Sequence, residues 1–171
     1  MDIKIRPATL SDAFDMAEVY SRSWEVAYKD FIPADYILEK RKRSVSQMER
    51  MLNDESLRPF QYIILCEGAT IGSLTVAYCN DEDLDDTFYE VWGIYLHPDY
   101  FRKGVGSQAM DFAYEIARGL GKTNMSLWVF QDNDSSIKFY DKCGFVADGK
   151  TKILNCGKPL TAIRMRKSLI A

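Results

Sequence analysis

Arg102, Lys103, Gly104, Val105, Gly106 and Ser107 place two cations, two glycines and a hydroxyl within six consecutive positions. They follow an apolar run ending at Leu96 and a turn at His97-Pro98. A strand, a proline turn and a glycine-spaced helix start together make a seat for an anion, and a pyrophosphate is the ligand this chemistry predicts. The first backbone N–H groups of a helix have no intrahelical acceptor and point outward, and glycine removes side chains that would hold a phosphate away. Two common nucleotide loops are excluded by spacing. There is no G-x-x-x-x-G-K-[ST], and Gly104-Val105-Gly106 lacks the third glycine of G-x-G-x-x-G. His97 is the only histidine and the one side chain with an ordinary pKa near neutrality; its place before Pro98 marks it as a turn residue rather than a base.

The elements that must position this loop can be read from period and punctuation. Ile3 and Ile5 alternate with charge as in a short strand, and Ala8 to Asp12 offers helix caps. Phe14, Ala17, Val19, Tyr20, Trp24 and Ala27 recur at helical spacing, Tyr28 to Ile32 reads as a loop, and Pro33 restarts the chain into a second helix. From Pro59 the period changes. Phe60 to Cys66 and Ile71 to Tyr78 read as a hairpin across Glu67-Gly68-Ala69-Thr70. Asn80 to Asp86 is a polar loop, Phe88 to Leu96 a long strand, and Gly104 to Arg118 an amphipathic helix stopped by Gly119. Met125 to Phe130 is a buried strand. Asp132 to Ser136 caps a short helix that runs through Cys143 and stops at Gly144. Strands near Phe145 to Leu154 and Leu160 to Met165 close the chain. The fold class is α/β (α+β layered), with strands in the middle and helices flanking them.

The 171 residues fit one domain, 1–171. A net charge of −3 argues against nucleic acid as partner, and no apolar run approaches the roughly 20 residues that cross a bilayer. No export signal is visible, so the cytoplasm is the expected location. Cys66, Cys79, Cys143 and Cys156 lack metal-ligand or disulfide-framework spacing and are expected as reduced, mostly buried thiols; no metal is indicated.

The order strand, proline turn, basic glycine loop, long helix, strand, short helix, tyrosine and Gly-Phe resembles the GNAT acetyltransferase superfamily. Phe101-Arg102-Lys103-Gly104-Val105-Gly106 matches its Q/R-x-x-G-x-G/A loop, with Phe101 in place of Gln or Arg. Asn133-Asp134-Ser135-Ser136-Ile137-Lys138-Phe139-Tyr140-Asp141-Lys142-Cys143-Gly144-Phe145 is similar to its N-x-x-A-x-x-x-Y-x-x-x-G-F segment, with Ser136 for Ala. The resemblance implies a mixed, mostly antiparallel sheet whose central strands, Phe88 to Leu96 and Met125 to Phe130, splay around acetyl-CoA, with a β-bulge near the splay. It further implies a backbone contact from Leu96 to the pantetheine arm, cofactor contacts from Asn133, Ser136 and the 102–107 loop, a general base at Glu90 and a general acid at Tyr140.

The function implied is direct acetyl transfer from acetyl-CoA to a primary amine of a small molecule or a peptide N-terminus, without a metal. A non-catalytic acyl-CoA-binding sensor on the same fold is the alternative. Each residue also has a plainer reading: Glu90 as a solvated strand carboxylate, Tyr140 as a core tyrosine, Asn133 as a helix cap. Asp81, Glu82, Asp83, Asp85 and Asp86 are a solvated acidic loop or a device that attracts a cationic amine. Lys40 to Arg43 is a solvated helix face or a contact for the cofactor's 3′-phosphate. Trp24, Tyr28 and Phe31 wall an acceptor pocket or fill the core. The C-terminal strands offer an edge for a homodimer.

Overall fold

The change of period at Pro59 and the glycine stops decide where helix gives way to strand, and the computed structural model, which describes residues 1–170, follows them closely. Seven strands form one sheet: β1 (Ile3–Pro7), β2 (Gln61–Cys66), β3 (Ala69–Tyr78), β4 (Phe88–Leu96), β5 (Asn124–Phe130), β6 (Val146–Asn155) and β7 (Pro159–Ser168). Their order is β1-β2-β3-β4-β5-β7-β6. The helices are α1 (Ala13–Ala27), α2 (Ala34–Asn53), α3 (Val105–Gly119) and α4 (Asp134–Lys142). The chain divides into two compact units, Met1–Thr75 with Gly93–Ala109, and Val76–Trp92 with the chain from Met110 onward.

In the first unit, α1 buries Ala13, Met16, Ala17, Tyr20 and Trp24, and α2 buries Ile37, Met48 and Leu52, each set at helical spacing. Burying a side chain such as Leu52 or Ile63 contributes about 1.5–3 kcal/mol. β1–β2 and β2–β3 pair antiparallel. Glu67 and Gly68 both have positive φ, 50° and 84°, so the hairpin closes in two residues and β3 starts at Ala69, two positions before the expected Ile71. Pairing passes from Ile64↔Gly72 to Leu65↔Thr70 and leaves Ile71 as a bulge on β3. The Ile71 carbonyl accepts the His97 amide at 2.8 Å, so a bulge lies beside the end of β4 on its neighbour. At Gly72 a Cβ would stand 2.6 Å from Leu96 Cδ2 and 2.9 Å from the Tyr95 carbonyl oxygen; only glycine lets β3 approach β4 so closely.

In the second unit, β4 and β5 pair parallel from Phe88↔Asn124 to Val91↔Leu127, the geometry a long crossover such as α3 permits. β5–β7 and β6–β7 are antiparallel. Tyr89, Val91, Met125, Leu127, Val129 and Met165 form its apolar core with Phe145.

Three short 3-10 turns, Leu10–Asp12, Arg58–Phe60 and Pro98–Tyr100, were not visible as elements in the sequence. The first is pinned by Asp12, which accepts both Arg6 guanidinium nitrogens at 2.8 and 2.9 Å. Those bonds hold its carboxyl down at about 2. All four cysteines are free, but only Cys66 and Cys156 are buried. Cys79 follows the end of β3 and Cys143 caps α4, positions at element ends that leave them partly exposed. Among the described residues no helix is long and apolar enough to cross a membrane.

Candidate active site

The anion loop lies in the first unit and folds as its residue types require. After β4 the chain turns through Pro98–Tyr100, capped by His97, whose Nδ1 accepts the Asp99 amide at 3.3 Å. His97 is a turn residue, as its place before Pro98 predicts. Arg102 then takes φ 58° and Gly104 φ 83°, and such left-handed residues turn neighbouring N–H groups into a concave nest for an anion. Arg102 does so at a cost of about 1–2 kcal/mol, because its Cβ crowds the following carbonyl. The Gly104 carbonyl accepts the Gln108 amide at 3.2 Å, which makes Gly104 the N-cap of α3 and leaves the first amides of the helix without an intrahelical acceptor. A Cβ at Gly104 would meet nothing within 4 Å, so the space beside Gly104 is open. Arg102, Lys103 and Ser107 are exposed there, Gly106 is half-buried, and buried Val105 anchors the turn. Leu96, buried against Gly72, ends the strand that leads in.

Also in the first unit, the rings on α1 and the segment that follows form a continuous cluster. Trp24 lies 4.7 Å from Tyr28, edge-on, and 5.4 Å from Tyr20. Tyr28 meets Phe31 at 5.6 Å, and Tyr20 meets Tyr95 of β4 at 4.7 Å. Tyr20 and Tyr95 extend the candidate wall beyond the residues named from sequence. The Lys40–Arg43 run is not a plain solvated face: Arg41 is paired with Glu18 and Glu25, Lys42 with Glu39 at 2.7 Å, and Lys40 lies over Trp24.

Glu90 belongs to the second unit. It lies between Tyr89 and Val91, which alternate into the core, and is itself half-buried. Burial pushes its carboxyl up to about 7; the Asp81 charge adds to this, opposed by a hydrogen bond from Trp92 and by the charges of Lys152 and Arg164. A carboxylate poised near neutrality can take up a proton at physiological pH.

The acidic loop is exposed at Glu82, Asp83, Asp85 and Asp86, as the solvated reading expects, but two of its carboxylates are also tied to a buried arginine. Arg164, only 2% exposed, grips Asp83 with both Nη atoms at 2.7 Å, reaches Asp81 at 3.2 Å, and donates from Nε to Asp148 at 2.8 Å. Asp81 also accepts the Trp128 indole N–H at 3.1 Å, and Asp85 is held by Thr87. Half-buried Asp81 and exposed Asp83 are therefore engaged as counter-charges of a buried guanidinium. The Arg164 contact holds the Asp83 carboxyl far below the ordinary range. Arg164 stands in phase with buried Leu160 and Ala162 on β7, and a charged residue at a core-facing strand position was the signal that could have revealed the hub. Arg164→Met would leave the Asp148 carboxylate, its side chain 6% exposed, with Arg166 as its one ion-pair partner and the Lys150 amide among the described residues. It is expected to lower the unfolding free energy in urea by about 3 kcal/mol, the lower end for breaking a buried pair.

α4 carries the remaining candidates. Asn133 is its N-cap, 6% exposed, and accepts the Ser136 amide through Oδ1 at 3.2 Å. The cap reading is thus correct, and the Asn133 amide nitrogen is left for other contacts. Tyr140, half-buried, packs beside Phe139 and edge-on to Phe145 at 6.0 Å. The helix end beneath it is fastened: the Tyr114 hydroxyl donates to the Cys143 carbonyl at 3.3 Å, Lys167 donates to the same oxygen, and the Phe145 amide donates to the Tyr140 carbonyl at 3.0 Å.

Known proteins share this fold. A spermidine N(1)-acetyltransferase of Thermoplasma acidophilum is 28% identical over 145 residues, covering 85% of this chain and 89% of that protein. The crystal structure of PaiA N-acetyltransferase from Thermoplasma acidophilum in complex with coenzyme A superposes with a TM-score of 0.75 at 22% identity, over 98% of this chain and 99% of that one. The solution structure of apo YjaB from Escherichia coli gives 0.73 at 19% identity, over 100% and 99%. Residues 15–145 match the acetyltransferase (GNAT) family across both the anion loop and α4, and the chain belongs to that family.

Proposed function

We propose that this acetyl-CoA-dependent N-acetyltransferase delivers the acetyl group directly to a primary amine of a small molecule or a peptide N-terminus, with no covalent enzyme intermediate. The observation that carries this reading is Glu90, whose carboxyl is raised to about 7. An alkylamine with an ordinary pKa near ~10.4 reaches the site protonated and cannot attack until it loses a proton. Glu90 accepts that proton, directly or through water. The relative from Thermoplasma acidophilum is named for an amine acceptor, spermidine, which supports the same class.

The nest at Arg102 and Gly104 and the first amides of α3 fit a pyrophosphate, since the space beside Gly104 is open and the exposed flank carries Arg102, Lys103 and Ser107. Leu96 offers backbone groups to the pantetheine arm. Asn133 and Ser136 contact the cofactor from the start of α4, and the Tyr140 hydroxyl gives its proton to the departing CoA sulfur. The family match, drawing on both units, supports reading 1–171 as one domain. β6 ends the strand order and is exposed along most of its length, which supports a homodimer paired through that edge.

Calorimetric titration of ligand-free protein with acetyl-CoA, with ATP as control, tests the reading. Saturable one-site binding of acetyl-CoA alone is expected, and no binding would overturn it. In Gly104→Val, the left-handed φ would strain a branched residue by about 1–2 kcal/mol and distort the turn that aims the amides. Acetyl-CoA affinity is expected to fall at least about tenfold.

A further inference from the structure

Trp24 is 6% exposed, and its indole Nε1–H is the one buried side-chain polar atom without a hydrogen-bond partner among the described residues. A donor withdrawn from water and left unpaired carries a desolvation cost that a native fold seldom accepts without a purpose. Beside it is a second donor. Lys40 Nζ lies 5.4 Å from the centre of the Trp24 ring, and it has no carboxylate within 4.0 Å, whereas its neighbours Arg41 and Lys42 are each paired. The rings around Trp24 lead through Tyr20 to Tyr95, one residue before Leu96 at the end of β4. Tyr28, Tyr36 and Tyr95 are half-buried at the rim of the cluster.

We propose that the Trp24 indole N–H and the Lys40 ammonium together hold an anionic oxygen group, a carboxylate or its equivalent, carried by the acceptor amine. The acceptor is then a zwitterion of the amino-acid type, with its apolar portion against the tyrosine rings. A bare polyamine fits poorly, because it would bring a second cation to Lys40 and leave the indole donor unpaired. The inference rests on the amine-acetylating reading for the identity of the reacting group, and it separates this chain from the relative named for spermidine.

The test uses the full-length protein with its three tryptophans labelled at the indole nitrogen, so that each Nε1–H gives a separate magnetic-resonance signal. The Trp24 signal is assigned by its loss in W24F or, should that variant not fold, by elimination with W92F and W128F. Matched pairs are titrated: lysine against cadaverine, phenylalanine against phenethylamine, methionine against 3-(methylthio)propylamine. At least one carboxylated member is expected to move the Trp24 signal saturably while its partner lacking the carboxylate does not, and K40Q should weaken that binding at least tenfold. The proposal is overturned if no carboxylated amine moves the signal, if both members of every pair move it equally, or if a trapped water already bonded to Nε1 stays in place. Thiol release from acetyl-CoA is measured on the same amines. A moved indole without thiol release would sink the transferase reading alone, and release from polyamines with an unmoved indole would sink this inference alone.

Discussion

Tyr140→Phe is expected to lower kcat by about 10²–10⁴-fold, the usual worth of a positioned general acid, while acetyl-CoA affinity stays within a few-fold of the parent. The substitution removes only a hydroxyl. The ring keeps its contacts with Phe139 and Phe145, and the backbone keeps the Phe145 amide and the tied helix end. The proton reaching the sulfur would then have to come from water, and expulsion of the thiolate would become the slow step. Stopped-flow thiol release and calorimetry read the two quantities separately. Unchanged turnover with unchanged affinity would remove Tyr140 from the chemistry and leave it a core tyrosine. Lost affinity with proportionate loss of kcat/KM would assign it to cofactor binding.

Glu90→Gln comes second, with an expected loss of about 10²–10³-fold in kcat/KM at neutral pH. Its distinguishing feature is the pH profile. In the parent, kcat/KM should climb with pH through an ascending limb near 7, as the raised carboxyl ionises, and the variant should lose that limb while keeping the later rise from deprotonation of the amine. Stability should move in the opposite direction. A carboxyl whose pKa is higher in the folded than in the unfolded chain favours folding at low pH, and that advantage is lost as pH rises from the unfolded value through about 7. Glu90→Gln is therefore expected to unfold at higher urea than the parent at pH 8 and to lose that margin near pH 4. A limb that persists near 7 in the variant would assign the titration to another group.

What the sequence disclosed and what it hid differ by the range of the interactions. The helices and strands were legible because period and punctuation are local: the change at Pro59, the stops at Gly119 and Gly144, the basic glycine loop after Leu96. Glu90 could be marked only by resemblance, since nothing near it in sequence tells whether a strand carboxylate is solvated. Its raised carboxyl comes first from burial, with the charge of Asp81 in the preceding loop adding to it and those of Lys152 on β6 and Arg164 on β7 opposing it. The acidic loop was legible only in part for the same reason. Five carboxylates in six positions read as solvent-facing charge, and the arginine that gathers two of them lies more than eighty residues downstream. The Trp24 cluster was half legible: the rings of α1 share a helical face, whereas Tyr95 reaches them only because β4 ends beside Tyr20.

The reach of Arg164 also sets a timetable. It joins Asp81, Asp83 and Asp148 across separations of 83, 81 and 16 residues, so the loop beside Glu90 can lock only after β7 has been synthesised and docked. Pairings this distant in sequence form late, because long loops must close first. A nascent chain on the ribosome would carry its anion loop, its α4 and the whole acidic loop before the guanidinium that gathers Asp81 and Asp83 had left the synthesis site. Until β7 docks, two carboxylates of that loop would wait without the counter-charge that later fixes them.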